Sequence, residues 1–271
     1  MPLFNDVEFI KELSTQGYSI ERNFSKYKAK HNLKLPGSAQ KYLSIDFYSR
    51  QSKELMDRNY FVIRTGSGNF IIFDEKRFGK PYLDLDLSGA EELDYEIPKN
   101  FKHLYNAFNE NLIENSSIES LWYLGFFKQI IDRISSENEY YIGPRGNKCS
   151  IFEVYLKDRK TQEIIKIFTH KGQEDLDYSI FTENCIYFFE GKNFPKGRSG
   201  LDIGWHKIIF PASRFKKYSD KRFIPVYFLK LGTVVYFFVF PDFQFYKGSV
   251  VLNDERRFTP EHVFKIDLKR N

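Results

Sequence analysis

The chain has 271 residues, of which 42% are hydrophobic and 28% charged, so bulk disorder is excluded and a sizeable core is expected. Sixteen Gly and ten Pro exclude collagen-like and low-complexity chains, while two cysteines, Cys149 and Cys185, exclude a disulfide framework or a four-cysteine zinc site. The net charge of +5 is mildly basic, and 29 Phe with 18 Tyr favour β-rich packing.

Asn5 to Gln16 reads as a short helix, with Val7, Ile10 and Leu13 at helical spacing. Arg22 to Lys34 then carries five bases (Arg22, Lys26, Lys28, Lys30 and Lys34) and no acid. Asn59 to Phe73 reads as a hairpin, in which Tyr60-Phe61-Val62-Ile63 and Phe70-Ile71-Ile72-Phe73 flank Thr65-Gly66-Ser67-Gly68. The glycines read as turn residues rather than a phosphate loop, because no helix-forming run follows them. Asp84 to Glu96 holds six acids and no base. This acidic, turn-rich stretch, extended to Pro98, is the expected boundary between an N-terminal region, 1–98, and a second domain, 99–271.

Ser116 to Ile134 reads as one helix. Ser116 and Glu119 match a capping box, and Ile118, Leu121, Leu124, Phe127, Ile130, Ile131 and Ile134 build an apolar face. Ser150 to Leu156, Glu163 to Thr169, Asp175 to Phe181 and Cys185 to Lys192 read as four successive strands. Gly204 to Lys217 reads as a helix interrupted at Pro211, followed by strands at Phe223 to Lys230 and Thr233 to Phe240. Helices among strands predict a mixed α/β fold. The eight-residue run Thr233 to Phe240 is the most apolar, far short of the ~20 residues of a membrane helix. With no basic start followed by an apolar stretch, a soluble cytoplasmic protein is expected.

Lys192 to Arg222 holds nine bases, among them Lys196, Arg198, Lys207, Arg214, Lys216 and Lys217, against Asp202 and Asp220. A solvated surface accounts for any single charged run. Two basic segments interleaved with Phe, Tyr and Trp also suit a polyanion-binding groove, where cations neutralise phosphates and rings stack or wedge.

The sharpest chemistry lies between these features. Gln173-Glu174-Asp175-Leu176-Asp177 leads one apolar strand, Thr182-Glu183-Asn184 suits a hairpin turn, and Glu190-Gly191-Lys192-Asn193 ends the next strand. Alternation along strands predicts that Asp175 and Asp177 share one face, as do Glu190 and Lys192. Burying carboxylates with an ammonium is costly unless they have a task. Oxygen ligands from Asp177 and Glu190 suit Mg²⁺, and Lys192 can position a water and stabilise charge developing on phosphorus. The five histidines are scattered without zinc spacing, no Gly-x-Ser-x-Gly elbow is present, and Cys185 reads as a buried structural thiol.

Asp177…Glu190-Gly191-Lys192 resembles the PD-(D/E)XK nuclease superfamily, which includes most type II restriction endonucleases. Ser117-Ile118-Glu119, Gly143-Pro144-Arg145-Gly146, Gln173 to Asp177, Glu190 to Asn193 and Phe210-Pro211 follow the order of one restriction-enzyme-like group, over roughly residues 115 to 250. Leu176 stands where a proline often precedes the first aspartate, and Glu174 and Asp175 compete with Asp177 for the metal.

The resemblance implies a restriction-endonuclease-like α/β (α+β) core, a central mixed β-sheet flanked by helices, with an N-terminal α+β recognition region. It implies Mg²⁺-dependent, sequence-specific hydrolysis of double-stranded DNA by a homodimer, leaving 5′-phosphate and 3′-hydroxyl ends. A prokaryotic host would carry a companion DNA methyltransferase as its genetic partner. Asp177 and Glu190 are then the metal ligands and Lys192 the catalytic lysine. Glu119 is a further ligand or metal orienter, or only the capping partner of Ser116. Asp175 is a second ligand or a solvated edge residue. Gln173 could orient a phosphate. Arg22, Asn23, Arg64, Asn69 and Arg145 are possible base readers, with Lys26 and Lys28 beside them on the first basic run. Two rivals remain: a structure-specific repair or junction nuclease, and a non-catalytic nucleic-acid-binding protein with a nuclease-like fold.

Overall fold

The computed structural model describes residues 7–94, 99, 114–137, 139–146, 148–194, 201–216, 219–243 and 245–268. Lys196, Arg198 and Lys217 lie outside the described residues, as do residues 95–98 at the end of the acidic stretch.

The first part contains helix Val7–Gln16 and strand β1 (Arg22–Asn23), then helices Phe24–Lys30, Ala39–Leu43 and Lys53–Asp57. The hairpin β2 (Tyr60–Gly66) and β3 (Asn69–Asp74) follows as expected, then β4 (Tyr82–Asp84) and β5 (Glu91–Glu92). Two helices, Glu114–Tyr123 and Phe126–Ile134, lead into β6 (Tyr141–Ile142), β7 (Lys148–Lys157), β8 (Ile164–Glu174), β9 (Tyr178–Phe181) and β10 (Cys185–Phe194). Then come β11 (Asp202–Gly204), helix His206–Ser213, β12 (Arg222–Leu231), β13 (Val234–Val239), β14 (Phe245–Tyr246), β15 (Ser249–Val251) and β16 (His262–Asp267). No helix among the described residues is long and apolar enough to cross a membrane.

The strands form several sheets, so the chain is mixed α/β of the α+β kind. The largest sheet has seven strands in the order β5-β16-β13-β12-β10-β9-β6. Strand β10 runs antiparallel to β9 and parallel to β12, with helix His206–Ser213 in the β10-to-β12 connection. A parallel neighbour requires such a crossover.

Side chains alternate across this sheet, and each face supports a separate apolar cluster. Tyr187 and Phe189 meet Val226 and Phe228 beneath Leu121, Phe127, Ile130 and Ile131 of the two helices. The Phe127 and Phe189 rings lie 4.4 Å apart. Fully burying a phenylalanine contributes on the order of 1.5–3 kcal/mol, so this face fixes the sheet firmly. Ile186 and Phe188 face the other way, toward Ile208, Ile209 and Phe210 and toward Phe61 and Phe73 of the hairpin. That second cluster draws on residues from both sides of the acidic 84–98 stretch. A third cluster packs Phe9, Leu13, Phe24 and Tyr27 on Val62, Phe70 and Ile72 of the hairpin.

Three local expectations are corrected. The helix expected over 116–134 is two helices: Gly125, at φ 79°, adopts the left-handed conformation that ends the first. Ser116 therefore sits inside helix Glu114–Tyr123 and is not its cap. The helix expected over 204–217 is a short strand followed by His206–Ser213, and Pro211 lies within that helix without interrupting it.

The four expected strands exist, but they belong to two sheets. Strands β7 and β8 pair with each other in a four-stranded sheet, whereas β9 and β10 join the seven-stranded one. Asp175-Leu176-Asp177 is the connection between them and is not strand. Buried Leu176 anchors this crossing in the second cluster, leaving Asp175 exposed and Asp177 half-buried.

Candidate active site

Strand pairing delivers the key side chains to one place. Antiparallel β9 and β10 match Phe188 with Ser179 and Phe189 with Tyr178. The next step of that register brings Asp177 opposite Glu190. The Gly191 N–H donates to Asp177 Oδ2 at 2.9 Å and locks the aspartate to the Glu-Gly-Lys strand. Glu190 and Lys192 share the face of Phe188, as alternation predicts, and the Lys192 ammonium lies 2.8 Å from Glu190 Oε1.

Gly191, between them, points to the opposite face. A Cβ there would lie 2.1 Å from the Phe228 ring, in the cluster beneath the two helices. Gly191→Ala is therefore expected to destabilise the fold by roughly 1–3 kcal/mol through overpacking, measurable as a lowered urea midpoint with unchanged slope. An unchanged midpoint would show that Phe228 yields freely.

Asp175, Asp177, Glu190, Lys192 and Gln173 all line one cavity of about 800 Å³. Glu190 is only 6% exposed. Burial pushes its carboxyl up to about 7; Lys192 and Lys207 oppose the rise, and the negative charge of Asp177 adds to it. The Tyr227 hydroxyl, register partner of Glu190 on β12, is held protonated by burial and by the same carboxylates, and donates to the Gly204 carbonyl at 2.6 Å.

A smaller cavity of about 300 Å³ lies beside Asp175 and Asp177 and adds Glu119, Arg145 and Gly146. Glu119 thus reaches the neighbourhood of Asp177, where it pairs with Arg145 at 2.9 Å.

The other expected contacts are placed as follows. Arg22 is held by Glu12 at 2.8 Å and stacks over Phe9, and the Lys28 ammonium donates to the Leu35 carbonyl at 2.7 Å. Asn23 caps helix Phe24–Lys30 and donates to Asn69 at 2.9 Å. Lys26 is exposed. Arg22, Lys26 and Lys28 do not line the large cavity. Lys216 pairs with Asp220 at 3.0 Å, whereas the terminal nitrogens of Arg214 are buried without a hydrogen bond among the described residues. Lys207 does line the large cavity.

Among the other lining residues, Asp46 and His170 escape the sequence reading, Arg64 is expected only as a possible base reader, and His206, expected as a surface histidine of the basic segment that could touch phosphate, is half-buried. Burial and the nearby Lys207 charge push His206 down to about 3, so it is neutral near pH 7. His170 contacts Glu174 along the same strand face. Its signal was the spacing His170-x-Gly172-x-Glu174, in which the central residue lacks a side chain. Asp46 opposes Lys207 at 2.7 Å; burial raises its proton affinity, but Lys207 and Lys192 outweigh this and hold the carboxyl below the usual range.

The Mg²⁺ implied by the resemblance is tested by this donor set. Among the described residues, no three of His, Cys, Asp and Glu are arranged to enclose a metal. Asp177 and Glu190 are nevertheless adjacent carboxylates at a polar cavity, and burial with the added charge of Asp177 disfavours ionised Glu190 despite the opposing charges of Lys192 and Lys207. Mg²⁺ keeps several waters and commonly takes one or two carboxylates. The pair fits a largely hydrated Mg²⁺ rather than a metal caged by protein. Comparisons with protein families, with curated proteins and with solved structures return no match for this chain, so the functional reading rests on the site itself.

Proposed function

We propose that this chain is a Mg²⁺-dependent nuclease of the type II restriction endonuclease kind, built on a PD-(D/E)XK-like core. The observation that carries the reading is the Glu190–Lys192 ion pair, 2.8 Å across and beside Asp177, which immediately precedes the neighbouring strand β9, at the wall of a large polar cavity. Isolated Glu-x-Lys spacings are common on exposed strands. A buried pair beside a second carboxylate is not, because desolvation makes it costly. The antiparallel β9–β10 pair followed by a helix and parallel β12 also supports such a core.

Asp177 and Glu190 would hold the ion, which when bound lowers the pKa of coordinated water and offsets negative charge on a phosphate. Lys192 holds an attacking water or a phosphate oxygen in place and stabilises the charge that develops there. Glu119, paired with Arg145 in the cavity beside Asp177, would be a further ligand or metal orienter. The DNA is double-stranded and cut at a specific sequence, the enzyme acts as a homodimer in a prokaryotic cytoplasm, and a methyltransferase of matching specificity protects the host.

The test is digestion of mixed-sequence DNA followed by sequencing of the ends. Mg²⁺ is expected to yield a fixed ladder with 5′-phosphate ends, EDTA to abolish it, and Ca²⁺ to support binding alone. Full cutting in EDTA would sink the site. Cleavage that follows branches or mismatches would favour a repair or junction nuclease, and binding without any cleavage would favour a non-catalytic nucleic-acid-binding protein.

A further inference from the structure

Lys207 stands in the first turn of helix His206–Ser213, immediately after β11. That start is pinned by chain from the N-terminal part. The Gly204 N–H donates to the Asp46 carbonyl at 2.8 Å, and Phe47 bridges to Ile203. The Asp202 carboxylate accepts from the Ser49 N–H at 2.7 Å and from the Ser49 hydroxyl at 3.1 Å. The backbone around Asp46 is therefore fixed against the helix, and this sets Asp46 Oδ1 2.7 Å from Lys207 Nζ.

Both side chains line the cavity that holds Glu190 and Lys192. The two ion pairs also act on each other: the Lys207 charge reaches Glu190, and the Lys192 charge reaches Asp46. A carboxylate in a groove meant for phosphates weakens binding. Its presence in this position calls for another role.

We propose that Asp46 is a positioning residue of the active site, holding the Lys207 ammonium beside the Glu190–Lys192 pair so that Lys207 supplies a second positive charge to the reacting phosphate. The proposal rests on the nuclease reading. It makes the site composite, because the 44–49 segment sets the geometry of a group on the helix between β10 and β12.

The test compares wild type, Asp46→Asn, Lys207→Ala and the double variant on DNA carrying the cleavage site. Single-turnover rates are measured in Mg²⁺, equilibrium binding in Ca²⁺, and folding by thermal melting. Asp46→Asn is expected to slow cleavage on the order of 10–100-fold, the usual effect of losing a group that orients an active-site residue. Binding should stay equal or tighten, because a negative charge leaves the groove. Lys207→Ala should slow cleavage and reduce the salt dependence of binding by about one phosphate contact. The double variant should be no slower than Lys207→Ala, since Asp46 acts through Lys207. Asp46→Glu should recover part of the rate, and Lys207→Met replaces Lys207→Ala if the latter melts early.

Additive losses in the double variant would overturn the proposal. So would an Asp46→Asn protein that binds and cuts in equal proportion less, as a purely structural loss requires. Absence of Mg²⁺-dependent cleavage by the wild type would remove the nuclease reading and this proposal with it. Wild-type cleavage with an Asp46→Asn rate unchanged would remove the proposal alone.

Discussion

Replacing Lys192 with Ala is expected to leave DNA binding largely intact while slowing cleavage by roughly 10²–10³-fold, the usual contribution of a preorganised electrostatic group at a transition state. The Lys192 side chain is 14% exposed and bonded to Glu190, so its charge is held in place rather than sampling solvent. Both carboxylates survive the substitution, and binding loses about one phosphate contact.

A second effect works in the same direction. The Lys192 charge opposes protonation of Glu190, so its removal raises the proton affinity of that carboxyl further. The Lys192→Ala rate should therefore recover in part as pH rises, to a limit set by the missing ammonium. Lys192→Arg retains the charge and should keep the wild-type pH dependence while losing rate through altered geometry. A folded Lys192→Ala enzyme cutting at near wild-type rate would refute the assignment. Asp177→Ala should also abolish cutting, and exposed Asp175 should matter less, because the Gly191 N–H is bonded to Asp177.

The local part of this site was legible in the sequence because β-structure obeys a period of two. Glu190 and Lys192 share a face, the hairpin turn aligns β9 with β10, and both follow from residue types alone. The sheet change at Asp175-Leu176-Asp177 was not legible. Burial still alternates through it, so the pattern continues while the hydrogen-bond partner changes. Gly125 was visible, but an otherwise unbroken apolar stripe masked its left-handed turn.

Asp46 and Arg64 carry no local motif, since their place at the cavity depends on how the first part packs on β8 and β11. The pairing within the basic run from Arg22 to Lys34 is not legible for a related reason. Charge counting does not show that Glu12 takes Arg22, that the Leu35 carbonyl takes Lys28, or that Glu8 takes Lys30.

Glu190 offers a test of the site that needs no DNA. Its carboxyl is raised from an ordinary 4.5 to about 7, chiefly by burial. Between those values the folded protein retains a proton that the unfolded chain has released. The resulting stability is present in full below about pH 4.5 and is lost as pH rises through about 7. At about 1.4 kcal/mol per pH unit, the loss amounts to about 3 kcal/mol, and burial of the group leaves little solvent screening to reduce it. Glu190→Gln, neutral and of the same shape, should be as stable as wild type at pH 4 and more stable at pH 8, by up to that amount. The gain is smaller to the extent that Lys192 then lacks its counter-charge. Mg²⁺ should restore wild-type stability at pH 8 by binding the ionised pair, and should do little for the Gln variant. Urea unfolding at pH 4, 6 and 8, with and without Mg²⁺, reads both effects. A wild-type profile that matches the Gln variant at every pH would show that Glu190 does not carry the charge of this site.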